Sequence, residues 1–290
     1  MESARCKAFM ASAQAGSISK AAEILGYTPS GVSQLVSALE TEFGFPLLIR
    51  GKRGVVPTED GKIILEAIRE YLIQEERIYQ LASDINGLLI GDITIGAYPS
   101  IATHWLPAVI SGFQKKHPNI HFHLMEGTRQ ELNKWLMDKK INLVFFSYQE
   151  PMDYEWIPIA EDPIIAVLPQ NHPMANEDVF PLKQCGSEAF IMPALGRDTD
   201  VLDMLRRNGI SPRINFSTQE GFSAISMIEE GLGIGIMNEL ITKNWKANVI
   251  KLPLQPPQSI TLGIALFSLK KASPAVRRFV EFAVKMLGSA

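Results

Sequence analysis

The side chains best suited to chemistry near the start of the chain are hydroxyl and amide groups on one predicted helix. Thr28 can cap this helix, and Pro29 suits its first position, where a missing N–H costs nothing. No Lys or Arg lies between Thr28 and Leu39, so the polar face can form hydrogen bonds but carries no positive charge. The apolar face holds Val32, Leu35, Val36 and Leu39, and the polar face holds Ser30, Ser33, Gln34 and Ser37.

A second short helix precedes this one. Ser17 or Ser19 can cap it, and Gly26 can end it with a left-handed backbone. Two short helices joined by a tight connection that contains Gly form the helix-turn-helix pattern. Residues 47–56 then predict a small hairpin around the basic turn Gly51-Lys52-Arg53-Gly54, which would be a wing beside the helix pair.

Signals for catalysis or metal binding are weak. His121 and His123 lie on one side of a predicted strand, but no third metal ligand is apparent nearby. The glycines of residues 231–235 resemble a dinucleotide loop, yet Ile236 replaces the third glycine and the run leads from helix into strand. We interpret it as a tight turn. The chain has no Gly-x-Ser-x-Gly motif and no phosphate-binding Walker loop.

Composition and charge fit a globular protein with two domains. The chain has 290 residues, of which 46% are apolar and 20% charged, and its formal net charge is −3. Residues 1–57 carry six basic and four acidic side chains, so a weakly basic head precedes an acidic body. Two cysteines, Cys6 and Cys185, are too few to staple a fold of this size and fit a reducing cytosol. They lie in different predicted domains, which argues against a peroxide-sensing pair.

A long helix is predicted after the hairpin, with Thr58 as its cap. Apolar residues then alternate spacings of three and four, which is a heptad seam interrupted only by Glu75. The seam could pack on its own chain, but we expect it to pair two copies of the helix. Its members are Ile64, Ile68, Tyr71, Glu75, Ile78, Ala82, Ile85 and Leu89.

Strands and helices alternate beyond Gly91, which is the signature of one or two open α/β sheets. Such sheets bind small ligands at the carboxyl ends of their strands. The predicted strands are Asp92–Ala97, Ile120–Met125, Asn142–Ser147, Ile164–Pro169, Ala189–Met192, Arg213–Ser217, Gly233–Met237 and Ile260–Phe267. The predicted helices lie near 103–116, 129–139, 199–207, 220–231 and 274–287.

Together these features resemble the LysR-type transcriptional regulators. In the head the matching residues are Phe9, Gly16-Ser17-Ile18-Ser19-Lys20-Ala21-Ala22, Leu25, Thr28-Pro29-Ser30-Gly31-Val32-Ser33, Leu39-Glu40, Phe43-Gly44, Leu47-Leu48-Ile49-Arg50 and Thr58-Glu59-Asp60-Gly61. In the body they are Leu106-Pro107, the strand at 142–145, the stretch 164–173 with its His-Pro, and the glycines of 231–235. Head, long helix and body also agree with that family in order and length.

The resemblance implies an α/β fold class: an N-terminal winged helix-turn-helix, a long linker helix and a two-lobed effector domain like a type 2 periplasmic binding protein. The expected domains are a DNA-binding domain at 1–57, a linker and dimerisation helix at 58–90, and an effector-binding domain at 91–290. Lobe I would span about 91–160 and 267–290, and lobe II about 161–266, with crossings near Glu161 and Leu266.

The resemblance also implies which residues contact DNA. Gln34 could bond an adenine edge through two hydrogen bonds, Arg50 could bind a phosphate, and Arg53 could enter the minor groove. The chain departs from the family at Pro29, Leu35 and Leu48, so an operator sequence does not carry over from relatives. The implied DNA-contacting set is Thr28, Ser30, Ser33, Gln34, Ser37, Arg50 and Arg53.

An effector is expected between the lobes, where hydroxyls and amides beside helix N-termini suit a carboxylate. Arg197 could pair with the ligand, or it could be a surface arginine paired with Asp198 or Asp200. Nearby aromatic residues slightly favour a hydrophobic organic acid. The implied effector-contacting set is Tyr98, Ser100, Thr128, Ser147, Arg197 and Gln219.

The expected function is therefore ligand-controlled regulation of transcription, in the cytoplasm of a bacterium. The expected partners are double-stranded promoter DNA, a small-molecule effector and further copies of the chain, as a dimer and then a tetramer. RNA polymerase is left open as a further partner, and no membrane, cofactor or metal is expected. One alternative is a transport-type binding protein, since the body has that architecture. The other is an enzyme, but the sequence shows no arrangement of a nucleophile with a base.

Overall fold

The computed structural model describes residues 1–51, 54–86, 89–193, 199–218 and 221–288. The chain divides into two compact units, residues 1–86 and 87–290. Each unit has an apolar core of its own, so each is described by itself. Among the helices that the structure describes, none combines the length and apolar character needed to cross a membrane.

The first unit is a helix-turn-helix followed by a hairpin and a long helix. Its elements are α1 (Ser3–Ala15), α2 (Ile18–Leu25), α3 (Pro29–Phe43), β1 (Leu48–Gly51), β2 (Gly54–Pro57) and α4 (Glu59–Ile85). The strands β1 and β2 are antiparallel, with Arg50 opposite Val55. The predicted helix pair, hairpin and long helix are therefore confirmed.

Local capping sets the helix boundaries in this unit. The Ser17 side chain accepts a hydrogen bond at the start of α2, and Gly26 ends that helix with φ 69°. The Thr28 hydroxyl accepts a hydrogen bond of 3.1 Å from the Gly31 N–H, and Pro29 occupies the first position of α3. Of the two serines that could cap α2, Ser17 is therefore the cap.

The first half of α4 packs on its own chain. Ile68 and Leu72 are buried in the core of the first unit, where the helices of the head contribute most of the other side chains. Glu75, the polar residue of the predicted seam, accepts a hydrogen bond of 2.6 Å from Ser3 Oγ and forms an ion pair of 3.3 Å with Lys7 Nζ. This part of the seam thus joins the helix to the head.

Most side chains in the second half of α4 are exposed, although Gln80 is buried. The exposed fraction is 66% at Ile78 and 85% at Ile85. The helix ends at Ile85, and Leu89, the last residue of the predicted seam, lies instead in the core of the second unit. The seam is therefore shorter than the sequence predicts, and its later members Ile78 and Ile85 are exposed to solvent.

The second unit contains a central mixed sheet with helices packed on it. Its strands are β3 (Gly91–Ala97), β4 (Ile120–Glu126), β5 (Leu143–Ser147), β6 (Glu155–Pro169), β7 (Phe180–Pro181), β8 (Ala189–Met192), β9 (Arg213–Ser217), β10 (Gly235–Asn238) and β11 (Val249–Leu266). Its α-helices are α5 (Pro99–His104), α6 (Leu106–Gln114), α7 (Arg129–Met137), α8 (Thr199–Arg207), α9 (Gly221–Glu229), α10 (Glu239–Thr242) and α11 (Pro274–Leu287), and a 3₁₀ turn spans Leu182–Gly186.

Two long antiparallel strands, β6 and β11, run through the whole of this unit. The order of the main sheet is β10-β6-β11-β5-β3-β4, and β8 pairs separately with β9. The early part of β11, including Leu252, packs in one core, whereas Leu262 and Leu266 pack in another. Ile260 contacts both cores, so β11 crosses between two lobes near that residue.

This crossing lies earlier in the chain than the expected position near Leu266. The residues after Ile260 pair with β5 and belong to the core of the first lobe. On β6, the residue paired with Ile260 is Asp162, the neighbour of Glu161 in the chain.

A tight turn connects α9 to β10, as the glycines of residues 231–235 predict. Gly231 has φ 76°, and a Cβ on Gly233 would overlap the carbonyl oxygen of Ala189. The turn thus lets the chain pass close to the backbone of β8, where Ile191 N–H donates to the Ile234 carbonyl at 2.8 Å.

We expect Gly233→Ala to lower the free energy of unfolding by about 1–3 kcal/mol, because the added methyl group forces the turn away from β8. Denaturant unfolding measures the loss. Gly186→Ala is the matched control, since a Cβ there meets nothing within 4 Å, and it should change stability by less than about 0.5 kcal/mol. Equal effects of the two substitutions would contradict the proposed steric role of Gly233.

Candidate functional site

The exposed N-terminal part of α3 carries the first group of predicted site residues. The side chains of Thr28, Ser30 and Gln34 lie at positions exposed to solvent. Thr28 Oγ1 and Ser30 Oγ are 3.1 Å apart and share a hydrogen bond. The first turn of α3 therefore presents hydroxyl groups beside the positive end of the helix dipole, and Gln34 follows one turn later.

Arg50 connects the hairpin to the same helix. Its guanidinium donates hydrogen bonds of 2.9 Å to Ser33 Oγ and 3.0 Å to Ser37 Oγ, and it lies 3.6 Å from a Glu40 carboxylate oxygen. The structure thus brings together three of the predicted residues. The hydroxyl oxygens of Ser33 and Ser37 are occupied as acceptors, which the sequence did not reveal because β1 is remote from them in the chain.

The remaining predicted member of this set, Arg53 in the turn of the wing, lies outside the described residues, as do Arg197 and Gln219 from the effector-binding set.

In the second unit, Tyr98 and Ser147 meet at the ends of two neighbouring strands. Tyr98 follows β3 and occupies the N-cap position of α5 without a capping hydrogen bond from its side chain, and Ser147 is the fully buried last residue of β5. Their hydroxyl oxygens are 3.1 Å apart. Adjacent parallel strands end at the same sheet edge, so these two predicted residues form one polar cluster there.

Asp200, from α8 of the second lobe, completes this cluster. One of its carboxylate oxygens accepts a hydrogen bond of 2.8 Å from Ser147 Oγ and another hydrogen bond from the Gln149 side-chain amide. The other oxygen lies 3.5 Å from the Tyr98 hydroxyl, which donates to it. Sequence reasoning considered Asp200 only as a surface partner of Arg197 and did not consider Gln149.

Arg129, the first residue of α7, lies behind Ser147. Only 6% of the residue is exposed. Its guanidinium donates to the Ser147 carbonyl oxygen and lies 3.2 Å from Ser147 Oγ and 3.9 Å from the centre of the Phe146 ring. Its position at the N-terminus of a helix that follows a strand was the one signal in the sequence that could have identified it.

Arg129 carries a buried positive charge that is only partly satisfied. Among the described residues it forms no ion pair, and its Nε has no hydrogen-bond partner. Burial raises the pKa of the neighbouring Tyr154 hydroxyl, while the charge of Arg129 lowers it in part. The cluster thus contains a buried cation, and no described residue in direct contact with it supplies a compensating negative charge.

Thr128 and Ser100, the other described members of the predicted effector-binding set, have different surroundings from Tyr98 and Ser147. Thr128 is the cap of α7, and its hydroxyl donates at 2.7 Å to the Glu131 carboxylate, which also accepts from the Thr128 N–H at 2.9 Å. This capping box uses the hydroxyl locally. Ser100 is buried in the first turn of α5, with 4% of its surface exposed. Neither residue has a described hydrogen bond to Asp200.

The histidines and cysteines form no further reactive cluster. His121 and His123 are exposed on β4, and no group of three potential metal ligands occurs among the described residues. Cys6 and Cys185 are both fully buried. Burial raises the pKa of the Cys6 thiol, and burial likewise raises that of Cys185 to about 12, so both are held as neutral thiols.

Two family models match the chain. Residues 4–62 match the bacterial regulatory helix-turn-helix protein of the lysR family, and residues 86–288 match the LysR substrate binding domain. The helix-turn-helix regulator YvbU of Bacillus subtilis (strain 168) is 33% identical over 286 residues, which cover 98% of each chain.

Solved structures share the fold. A full-length CbnR complexed with its target DNA has a TM-score of 0.67 and 19% identity, over 98% of this chain and 99% of that one. The effector binding domain of QuiR in complex with shikimate has a TM-score of 0.63 and 23% identity, over 69% of this chain and 98% of that one.

The fold and these matches define a transcriptional regulator in which a DNA-binding helix-turn-helix precedes an effector-binding domain. The chain belongs to the LysR family of transcriptional regulators. As the sequence predicted, this is a family of regulators and not of enzymes.

We expect both cysteines to resist thiol reagents in the native protein at pH 8. A thiol of pKa about 12 is thiolate in only about one molecule in 10⁴ at that pH, against about a quarter for an unperturbed cysteine. Colour release from a disulfide reagent, followed before and after denaturation, measures both groups, and Cys185→Ser assigns them. Reaction of Cys185 within seconds in the folded protein would show that its thiol is accessible and ionised.

Proposed function

We propose that this protein binds promoter DNA through α3 and the wing, and that a small organic acid between the lobes controls this binding. The observation that carries the effector part is the buried Arg129, whose guanidinium reaches Ser147 at the lobe interface without a described ion pair. A site that buries a cation beside hydroxyl and amide donors favours an anionic ligand.

The DNA-binding part rests on the exposed face of α3. Gln34 can donate and accept hydrogen bonds at the edge of an adenine, and Thr28 and Ser30 lie where a recognition helix meets the groove. The hydrogen bonds to Ser33 and Ser37 hold the Arg50 guanidinium against the exposed side of α3, which suits a phosphate contact. We extend the proposal to Arg53 as a minor-groove contact on the wing. The CbnR structure with target DNA supports this use of the fold.

Self-association would use the later half of α4. The exposed side chains of Ile78, Leu81 and Ile85 are apolar and lie on the part of the helix that the head does not cover. Covering such a surface with a second copy of the helix removes it from water. We propose a dimer through this surface, and a tetramer built from two such dimers.

The proposed effector is a small organic acid that contacts the cluster around Tyr98 and Ser147. Ser100, Thr128, Arg197 and Gln219 belong to the same proposed site by their place in the family pattern. The aromatic side chains of Tyr98 and Phe146 beside the polar groups suit an acid with an apolar or ring-shaped body. The QuiR domain, whose ligand is the organic acid shikimate, supports this class of effector.

Regulation would follow from a change at the lobe interface. An effector that binds one arrangement of the lobes more tightly shifts the population toward it, and the changed assembly alters the bend of the bound DNA. We place this activity in the cytoplasm and leave a contact with RNA polymerase as part of the proposal.

Fluorescence anisotropy on the DNA upstream of the gene tests the proposal. We expect binding to weaken about 10³-fold between about 50 and 200 mM salt for a dimer that makes about six phosphate contacts. An unrelated duplex of equal length is the control and should bind more weakly at every salt concentration. Folded, dimeric protein that binds both duplexes equally, or neither, would refute the DNA-binding proposal.

We expect Gln34→Ala to relax base preference while preserving the fold. The lost pair of hydrogen bonds corresponds to about 1–3 kcal/mol of discrimination at one base pair, so a duplex changed there should bind almost as well as the original. Gln130→Ala, an exposed substitution on α7 of the second unit, is the matched control. If Gln34→Ala leaves the footprint and the base preference unchanged, the recognition face does not include Gln34.

A further inference from the structure

A carboxylate of the protein itself occupies the lobe interface. Asp200 lies in the first turn of α8, whose apolar residues Val201, Met204 and Leu205 are buried in the core of the second lobe. All three described donors to its carboxylate come instead from the first lobe. They are the Ser147 hydroxyl, the Gln149 amide and the Tyr98 hydroxyl.

We propose that Asp200 is an internal substitute for the effector's acidic group. In the effector-free protein its carboxylate holds the donors of the first lobe, and an incoming organic acid displaces it from them. Binding is then an exchange of one carboxylate for another. The inference rests on the proposed function, because it concerns the cleft in which we place the effector.

The arrangement of donors supports this exchange. Ser147 and Gln149 converge on one oxygen of Asp200, and Tyr98 donates to the other, so the first lobe presents three donors to a single carboxylate. A carboxylate accepts hydrogen bonds only, and each oxygen can accept more than one. Any small acid of similar shape can satisfy the same donors once Asp200 has moved away.

The buried charge behind the donors favours an acid over a cation. The Arg129 guanidinium lies 3.2 Å from Ser147 Oγ, which in turn donates to Asp200 at 2.8 Å. Asp200 thus compensates Arg129 through one intervening hydroxyl. If Asp200 leaves, the uncompensated guanidinium attracts an anion to its place and repels an ammonium group.

The exchange has a regulatory consequence. The bonds from Asp200 to Ser147, Gln149 and Tyr98 tie α8 to the first lobe, and an acid that replaces Asp200 removes this tie. The apparent affinity for the effector is lowered in proportion to the population in which Asp200 occupies the donors. Asp200 therefore sets the effector concentration at which the protein responds.

Acetate is the probe for this exchange, because it is the side-chain carboxylate of Asp200 with one methyl group. In full-length Asp200→Ala protein we expect acetate to raise the Tm saturably, with a Kd about tenfold below that for the wild type. Ionic strength is held constant with chloride. Acetamide, the neutral isostere, should produce no such stabilisation because it cannot replace the negative charge.

Two further variants make the result specific. Asp203→Ala removes an exposed carboxylate from the same helix, where it pairs with Arg206 at 3.2 Å, and should behave as the wild type toward acetate. Adding Ser147→Ala to Asp200→Ala should abolish the acetate effect, because the main donor is lost. If Asp200→Ala does not fold, Asp200→Asn provides the second test, and a tighter Kd for acetate than in the wild type is again expected.

Equal acetate affinity in the wild type, Asp200→Ala and Asp203→Ala would overturn the inference. So would stabilisation of the wild type by methylammonium that Asp200→Ala loses, since Asp200 would then be a receptor for a cation. These measurements use protein without DNA. A failure of DNA binding would refute the proposed function and leave the acetate result intact, whereas a negative acetate result leaves DNA binding untouched.

Discussion

The antiparallel pairing of β6 with β11 is the constraint on which the second unit depends. The two strands stay paired from Glu155 with Leu266 to Val249 with Pro169, with register shifts between Pro253 and Gln258 and between Leu262 and Gly263. One end of the ribbon lies in the core of the first lobe and the other in the core of the second. Because β5 pairs with β11, the ribbon also fixes Ser147 opposite Leu262. The two strands thus connect both lobes and fix the position of Ser147 in the polar cluster between them.

Each unit pairs some of its candidate binding groups with each other. In the first, Ser33 and Ser37 accept hydrogen bonds from Arg50, and in the second, Ser147 donates to Asp200. A buried polar group without a partner costs about 1–3 kcal/mol, so the fully buried Ser147 hydroxyl gains stability from its hydrogen bond to Asp200, whereas the bonds of Arg50 are exposed to solvent. Ligand binding in this protein would therefore exchange internal contacts for external ones, which favours selectivity over raw affinity.

The long helix α4 shows how one element serves two surfaces. Ile68 and Leu72 pack in the core of the head, and Glu75 fastens the same stretch to α1 through Ser3. Beyond them Ile78 and Ile85 remain exposed. A heptad seam in the sequence predicts an apolar stripe but does not say which partner covers each part of it. The head covers the first part because it lies immediately before the helix in the chain.

Local sequence determined most element boundaries. Thr28, Thr58 and Ser273 each cap a helix because a short hydroxyl side chain can accept from a backbone N–H three residues later. The family motifs and alternating pattern also determined the fold class and the order of the domains. The lengths of β6 and β11 were underestimated, because prolines and polar residues interrupt their apolar pattern where they cross between lobes.

Only the tertiary structure brought Asp200 to Ser147 across 53 positions of the chain, and placed Arg129 behind them. Hydrogen bonds between lobes depend on the relative placement of distant elements, and spacing within one element carries no information about it.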